Sequence, residues 1–115
     1  MSTPKRVLTA MDVRDGRVCV WHGQACDPET LVPQHRQGGM GGRSNKHRLS
    51  NVVWLDSLTN GLIESDAAWA EEARRRGVKI SLHADPRMIP VEYPEGRFWL
   101  TDDGRKVPVG PDPDF

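Results

Sequence analysis

Leu31-Val32-Pro33-Gln34-His35-Arg36, then Leu49-Ser50-Asn51-Val52-Val53-Trp54-Leu55, then Thr59-Asn60-Gly61-Leu62-Ile63-Glu64: these three phrases decide how the chain is read. A short apolar run closes on a histidine. Sixteen residues later an asparagine opens a second, β-branched run, and nine residues after that another asparagine begins a segment with helical spacing. Leu31-Val32 reads as a short strand ending near Gln34-His35, and Val52 to Leu55 as a buried strand. Asp56 or Ser57 can cap a helix that runs through Leu62-Ile63 to Ser65. Asn60-Gly61 is a poor helix start, so something other than stability favours those residues there. His35, Asn51 and Asn60 thus fall where two strands and a helix would meet.

Working outward, residues 1–4 read as a disordered start and Val7 to Arg14 as a short helix. Val7, Met11 and Arg14 share one face of it, and Asp15-Gly16 is the stop. Val18 to Trp21 is β-prone, and Asp27-Pro28-Glu29 is a turn signal. Gln37 to Lys46 is a loop, because Gly38-Gly39-Met40-Gly41-Gly42 cannot hold a regular element; its glycines either admit a ligand close to the backbone or simply connect. Ser65 or Asp66 caps a helix over Ala67 to Arg76, with Ala70 and Ala73 inward near Trp69. Acids Glu71 and Glu72 precede Arg74, Arg75 and Arg76, which suits the helix dipole, and Gly77 ends the helix. Val78-Lys79-Ile80-Ser81 alternates, Met88 to Tyr93 and Arg97 to Thr101 are candidate strands, and turns fall at Tyr93-Pro94-Glu95-Gly96 and Asp102-Asp103-Gly104. Pro108 to Phe115 is rich in Pro, Asp and Gly and reads as a disordered tail. Trp21, Trp54, Trp69 and Trp99 are expected in the core.

One domain is the default for 115 residues, with a modest core. The net charge is zero, yet no Asp or Glu lies between Glu29 and Asp56, a stretch that holds His35, Arg36, Arg43, Lys46, His47 and Arg48. Such a stretch suits a phosphate backbone; the plain alternative is a solvated loop. No run approaches the roughly 20 apolar residues of a membrane span. The N-terminus lacks the apolar block of a signal peptide, so a cytoplasmic protein without membrane contact is expected. Cys19 and Cys26 are too few for a disulfide scaffold; their spacing favours a metal knuckle or a buried thiol pair.

Phosphodiester hydrolysis needs a base to activate water, a metal to stabilise charge, and groups that hold both in place. A histidine is suited to the first task. Asn60 and Glu64, four apart, share one helix face and could offer oxygens to a metal. At these residues the chain resembles the HNH nucleases, whose ββα-metal fold ends its first strand on a histidine. That fold places an asparagine in the loop leading to the second strand and begins its helix with His or Asn. The phrases Leu31 to Arg36, Gly39-Met40-Gly41-Gly42-Arg43 and Asn60 to Asp66 most resemble small HNH-type proteins of actinobacteria and their phages.

The resemblance implies an α+β fold. A ββα-metal core with a following helix would span 15–81, after an N-terminal segment over 1–14. A small C-terminal β meander would cover 82–107, before the tail at 108–115. It implies His35 as general base, Asn51 as the residue that orients it, and Asn60, Glu64 and Gln34 around Mg²⁺ or a similar divalent cation. Arg36, Arg43, Lys46 and Arg48 would contact the DNA backbone in a bacterial host cell.

The departures are specific. Active members usually carry Asp or His where this chain has Gln34, and an amide is a poor ligand for a hard cation. Many relatives carry two Cys-x-x-Cys knuckles for a structural zinc. Here the first reads Cys19-Val20-Trp21-His22 and the second Asp56-Ser57-Leu58-Thr59. Cys19, His22, Cys26 and Asp56 could make a mixed site, but Asp56 is an unusual structural ligand, and the expectation is a core built on Trp54 without zinc. Two functions follow: a metal-dependent DNA endonuclease or nickase, or a catalytically impaired descendant that binds DNA, or a host or phage protein, without cutting.

Overall fold

Val52 to Leu55 is the apolar centre of the molecule: all four side chains are buried, and the strand β2 (Val52–Asp56) that carries them has no exposed residue. It pairs antiparallel with β1 (Leu31–His35), in a register that sets Leu31 opposite Asp56 and His35 opposite Val52. Pro33 is tolerated in β1 because this sheet has two strands, leaving β1 an outer edge that needs no N–H there. The computed structural model describes residues 3–37 and 46–110; the Gly38–Gly42 loop, Arg43 and residues 111–115 lie outside them.

The described chain is an α+β domain with three helices and two small antiparallel sheets. Helix α1 (Lys5–Asp15) lays Val7 and Met11 into the core, and Gly16 ends it in the left-handed conformation with its N–H on the Asp12 carbonyl. Its last turn is anchored by Arg14, whose guanidinium donates to the Leu49 and Val52 carbonyls at 2.7 Å each and pairs with Asp15 at 2.8 Å. Strand β2 runs directly into α2 (Ser57–Ser65), and Asp56 caps it by accepting from the Thr59 N–H and hydroxyl. Asp66 closes α2 and caps α3 (Ala67–Arg75), accepting from the Ala68 and Trp69 N–H groups. Gly77, at φ +75°, turns the chain back, and a β carbon there would meet the Pro90 carbonyl oxygen at 2.1 Å. The second sheet is a meander of β3 (Val91–Tyr93), β4 (Gly96–Leu100) and β5 (Lys106–Pro108).

Several expectations are corrected. Val18 to Trp21 is a turn with one bridge, Cys19 to Gly23, held to β2 by the Val20 N–H on the Trp54 carbonyl. Val78 to Ser81 is not a strand: the Lys79 N–H returns to Ala73 and the Ile80 N–H bonds the Arg36 carbonyl, so no ladder forms. Proline confines the Met88–Tyr93 segment to three strand residues, with Pro86–Met88 wound as a 3₁₀ turn. Pro108, the first residue of what reads as a tail, pairs with Phe98 of β4 instead. Of the four tryptophans only Trp54 is fully buried; Trp21, Trp69 and Trp99 are half-buried.

The largest correction concerns Arg36, expected on the DNA face. Its side chain is fully buried, and its guanidinium donates to four carbonyls: Gly77 at 2.7 Å, Ser50 at 2.7 Å, Pro86 at 2.8 Å and Ile89 at 2.6 Å. Burial pulls its pKa down to about 10, which still leaves it charged at neutral pH. Hydrogen bonds from a charged donor contribute about 1.5–3 kcal/mol, and an abandoned buried carbonyl adds a desolvation cost. Arg36→Met is therefore expected to destabilise the fold by about 3 kcal/mol or more, seen as a lower urea midpoint at an unchanged slope. Arg36→Lys is expected to restore little, because one ammonium cannot span four carbonyls.

Candidate functional site

The β1–β2 hairpin carries a cluster of reactive side chains at each end. At the Leu31–Asp56 end, the 19–23 turn brings Cys19, His22 and Cys26 to Asp56, so that one ligand atom from each lies within 4.8 Å of the others. The Cys19 thiol donates to Asp56 Oδ1 at 3.3 Å, His22 Nδ1 lies 3.2 Å from the same oxygen, and Cys26 Sγ lies 3.5 Å from His22 Nδ1. The turn also points the His22 N–H at Cys19 Sγ, at 3.5 Å. Asp56 divides its oxygens. Oδ2 caps α2 through Thr59, and Oδ1 faces the sulfurs and the imidazole. Burial opposes the charge on Asp56, but the Thr59 groups, Cys19 and His22 outweigh it and hold its pKa at about 2. Burial, with Cys19 and Asp56 adding to it, pushes the Cys26 thiol up to about 12.

Two sulfurs, a nitrogen and a carboxylate oxygen are a donor set that could hold a metal. Tetrahedral ligands on bonds of about 2.0–2.3 Å stand roughly 3.3–3.8 Å apart, so closure needs a contraction of about 1 Å. Oδ1 can move onto an ion while Oδ2 keeps the helix cap. Among the described residues, no other group of three or more His, Cys, Asp or Glu side chains is so arranged.

At the opposite end, His35 is half-buried at the close of β1. Its Nε2 lies 3.0 Å from Nδ1 of His47, with ring centroids 5.0 Å apart and planes inclined by 59°. Burial, His47 and Lys46 together lower the His35 pKa to about 4. Burial and Lys46 lower that of His47 too. Both rings are therefore neutral at pH 7, and one donates the shared hydrogen bond to the other. His47 was not among the residues expected at the site. Nothing in its spacing marks it, since the contact spans twelve residues across a glycine-rich stretch.

Asn51 is fully buried and makes no hydrogen bond to the His35 ring. Its Oδ1 accepts from the Gln37 N–H at 3.0 Å and its Nδ2 donates to the Lys46 carbonyl at 2.8 Å. Gln34 is buried, with its amide donating to the His35 carbonyl at 3.2 Å. Asn60 lies on α2 with Oδ1 buried and without a hydrogen bond among the described residues, while Glu64, one turn on, is exposed. Arg48 is drawn to the meander: Nη2 sits 2.7 Å from Asp102 and 3.6 Å from Asp85. Lys46 remains half-buried beside the pair, and Arg43 lies outside the described residues.

His35 has a pH signature. Its folded pKa of about 4 lies below the ordinary 6.5, so between those values the unfolded chain binds the extra proton. Stability is therefore expected to rise with pH across this window and to be lost as pH falls through it. Urea midpoints measured from pH 4 to 7 check this, and His35→Asn is expected to flatten the slope.

Comparison with known proteins adds no relative: no family model matches the chain, and neither a curated protein nor a solved structure matches it.

Proposed function

We propose that this chain is an HNH-type, ββα-metal protein that binds DNA and hydrolyses its phosphodiester bonds with a divalent cation. The observation that carries the reading is the order and pairing of β1, β2 and α2: a strand ends on His35, its partner strand runs directly into a helix, and that helix bears Asn60. His35, neutral at pH 7, takes the proton of the attacking water. Its low pKa keeps the ring free at neutral pH and weakens it as a base.

The orphaned Oδ1 of Asn60 fits a metal ligand, because a buried acceptor without a partner is otherwise a cost. Asn60, Glu64 and Gln34 would hold Mg²⁺ or a similar ion, which supplies charge stabilisation at the phosphate when bound. Lys46 and Arg43 are left as backbone contacts, since Arg36 is structural and Arg48 is paired with Asp102. A DNA substrate fits a protein of the cytoplasm of a bacterial host cell. No helix among the described residues is long and apolar enough to cross a membrane.

A second reading is a non-cutting descendant that binds DNA, or a host or phage protein. Gln34 and the internal use of Arg36 and Arg48 favour it. Plasmid cleavage with Mg²⁺ or Mn²⁺ separates the two. The nuclease reading expects nicking or linearisation that His35→Ala reduces at least about 10²-fold, and equal activity in the two proteins removes His35 as base. Gained cleavage in Gln34→His would mark the lost ligand as the reason for a silent site. If neither protein cuts, salt-dependent DNA retention distinguishes a DNA binder from a protein-interaction module.

We propose that the Cys19, His22, Cys26 and Asp56 centre is a separate structural metal site. It lies at the far end of the hairpin, about 13 Å from His35 by strand rise. Its sulfurs favour a borderline-soft ion such as Zn²⁺ over Mg²⁺. One equivalent of Co²⁺ is expected to produce thiolate-to-metal charge-transfer absorption, lost in Cys19→Ser and Cys26→Ser. Absence of that band in the wild-type protein would refute the site.

A further inference from the structure

We infer that His47 is a positioning residue of the His35 site, the link through which Asn51 governs the His35 ring. The inference rests on the reading of His35 as general base and goes beyond it by naming what holds that base. Asn51 makes no bond to the ring, so any control it exerts must pass through another group. Its Nδ2 donates to the carbonyl of Lys46, the residue before His47. Its own N–H donates to the carbonyl of Arg48, the residue after His47, at 2.8 Å. The Arg48 side chain is fixed in turn by Asp102, through Nε at 3.0 Å and Nη2 at 2.7 Å. Both chain neighbours of His47 are thus pinned, and both pins include Asn51. From that held backbone, His47 Nδ1 reaches His35 Nε2 at 3.0 Å.

The contact couples the tautomers of the two rings, one donating and the other accepting. A neutral imidazole carries one proton on two nitrogens. With His35 protonated on Nε2 and donating to His47 Nδ1, the other nitrogen of His35 is bare and able to accept a proton from water. The reverse arrangement places the His35 proton on Nδ1 and blocks it. Productive chemistry therefore needs His47 as the acceptor, a task that a lone carbonyl would do in its place.

Long-range ¹⁵N–¹H NMR of the ring nitrogens, on the metal-free full chain, reads this directly. Wild type is expected to show His35 protonated on Nε2. His47→Asn sets an amide at the position of Nδ1 and is expected to keep that tautomer. His47→Gln sets its amide at the position of Nε2 and, like His47→Ala, is expected to give a mixture. In plasmid cleavage, His47→Asn is expected to stay near wild type, while His47→Gln and His47→Ala lose about 10²-fold in kcat with KM little changed. An unchanged His35 tautomer in His47→Ala would overturn the inference, and so would wild-type cleavage by that variant. If the tautomer shifts as expected but wild type cuts no DNA with Mg²⁺ or Mn²⁺, the nuclease reading fails and the His47 linkage stands.

Discussion

A single buried guanidinium organises the described fold. Arg36 follows β1 directly and spreads its donors over carbonyls that lie 14 to 53 residues away in the chain. Among the described residues the two sheets share no hydrogen-bonded edge, so the C-terminal segments are docked by an arginine rather than by strand pairing. Arg14 does comparable work from α1. Between them, the two residues occupy the carbonyls of Leu49, Ser50, Asn51 and Val52, the Asn51 oxygen being taken by the Arg36 backbone N–H. The segment that bears Asn51 is therefore held on every peptide. That accounts for an asparagine without exposed surface in this segment.

The parts of the fold that local chemistry determines were legible. Val52 to Leu55 is apolar and β-branched enough to be buried on both faces. Asp56, Asp66 and Asp15-Gly16 mark helix ends because carboxylate caps and left-handed glycine act within one turn. What failed depended on partners far along the chain. The alternation at Val78 to Ser81 meets no partner strand, since the Lys79 and Ile80 N–H groups go to the Ala73 and Arg36 carbonyls, and a strand without a neighbour is no strand. The same holds for Arg36. An arginine beside a histidine, in a stretch without acids, looks like a phosphate contact until distant carbonyls close around it.

The absence of acids from residues 30–55 is a property of the sequence that folding partly cancels. Asp102, from the turn after β4, reaches both Arg48 and Ser50, and Asp85 approaches Arg48 from the 3₁₀ turn. The surface around His35 is therefore less positive than the chain implies. His47 belongs to the same lesson. Its partner is twelve residues away, and Asn51 and Asp102 hold its chain neighbours Lys46 and Arg48 where the two rings meet.

Asp56 shows how one position can be bound by two demands at once. A cysteine there would complete a set of three sulfurs and one nitrogen, the softer and tighter cage. A thiol has one acceptor atom, however, and could not also receive the N–H and hydroxyl of Thr59 that begin α2. The carboxylate, with two oxygens facing opposite ways, serves both neighbours and is optimal for neither. Substitution at this residue should thus be read as an exchange between affinity for an ion and nucleation of the helix that bears Asn60.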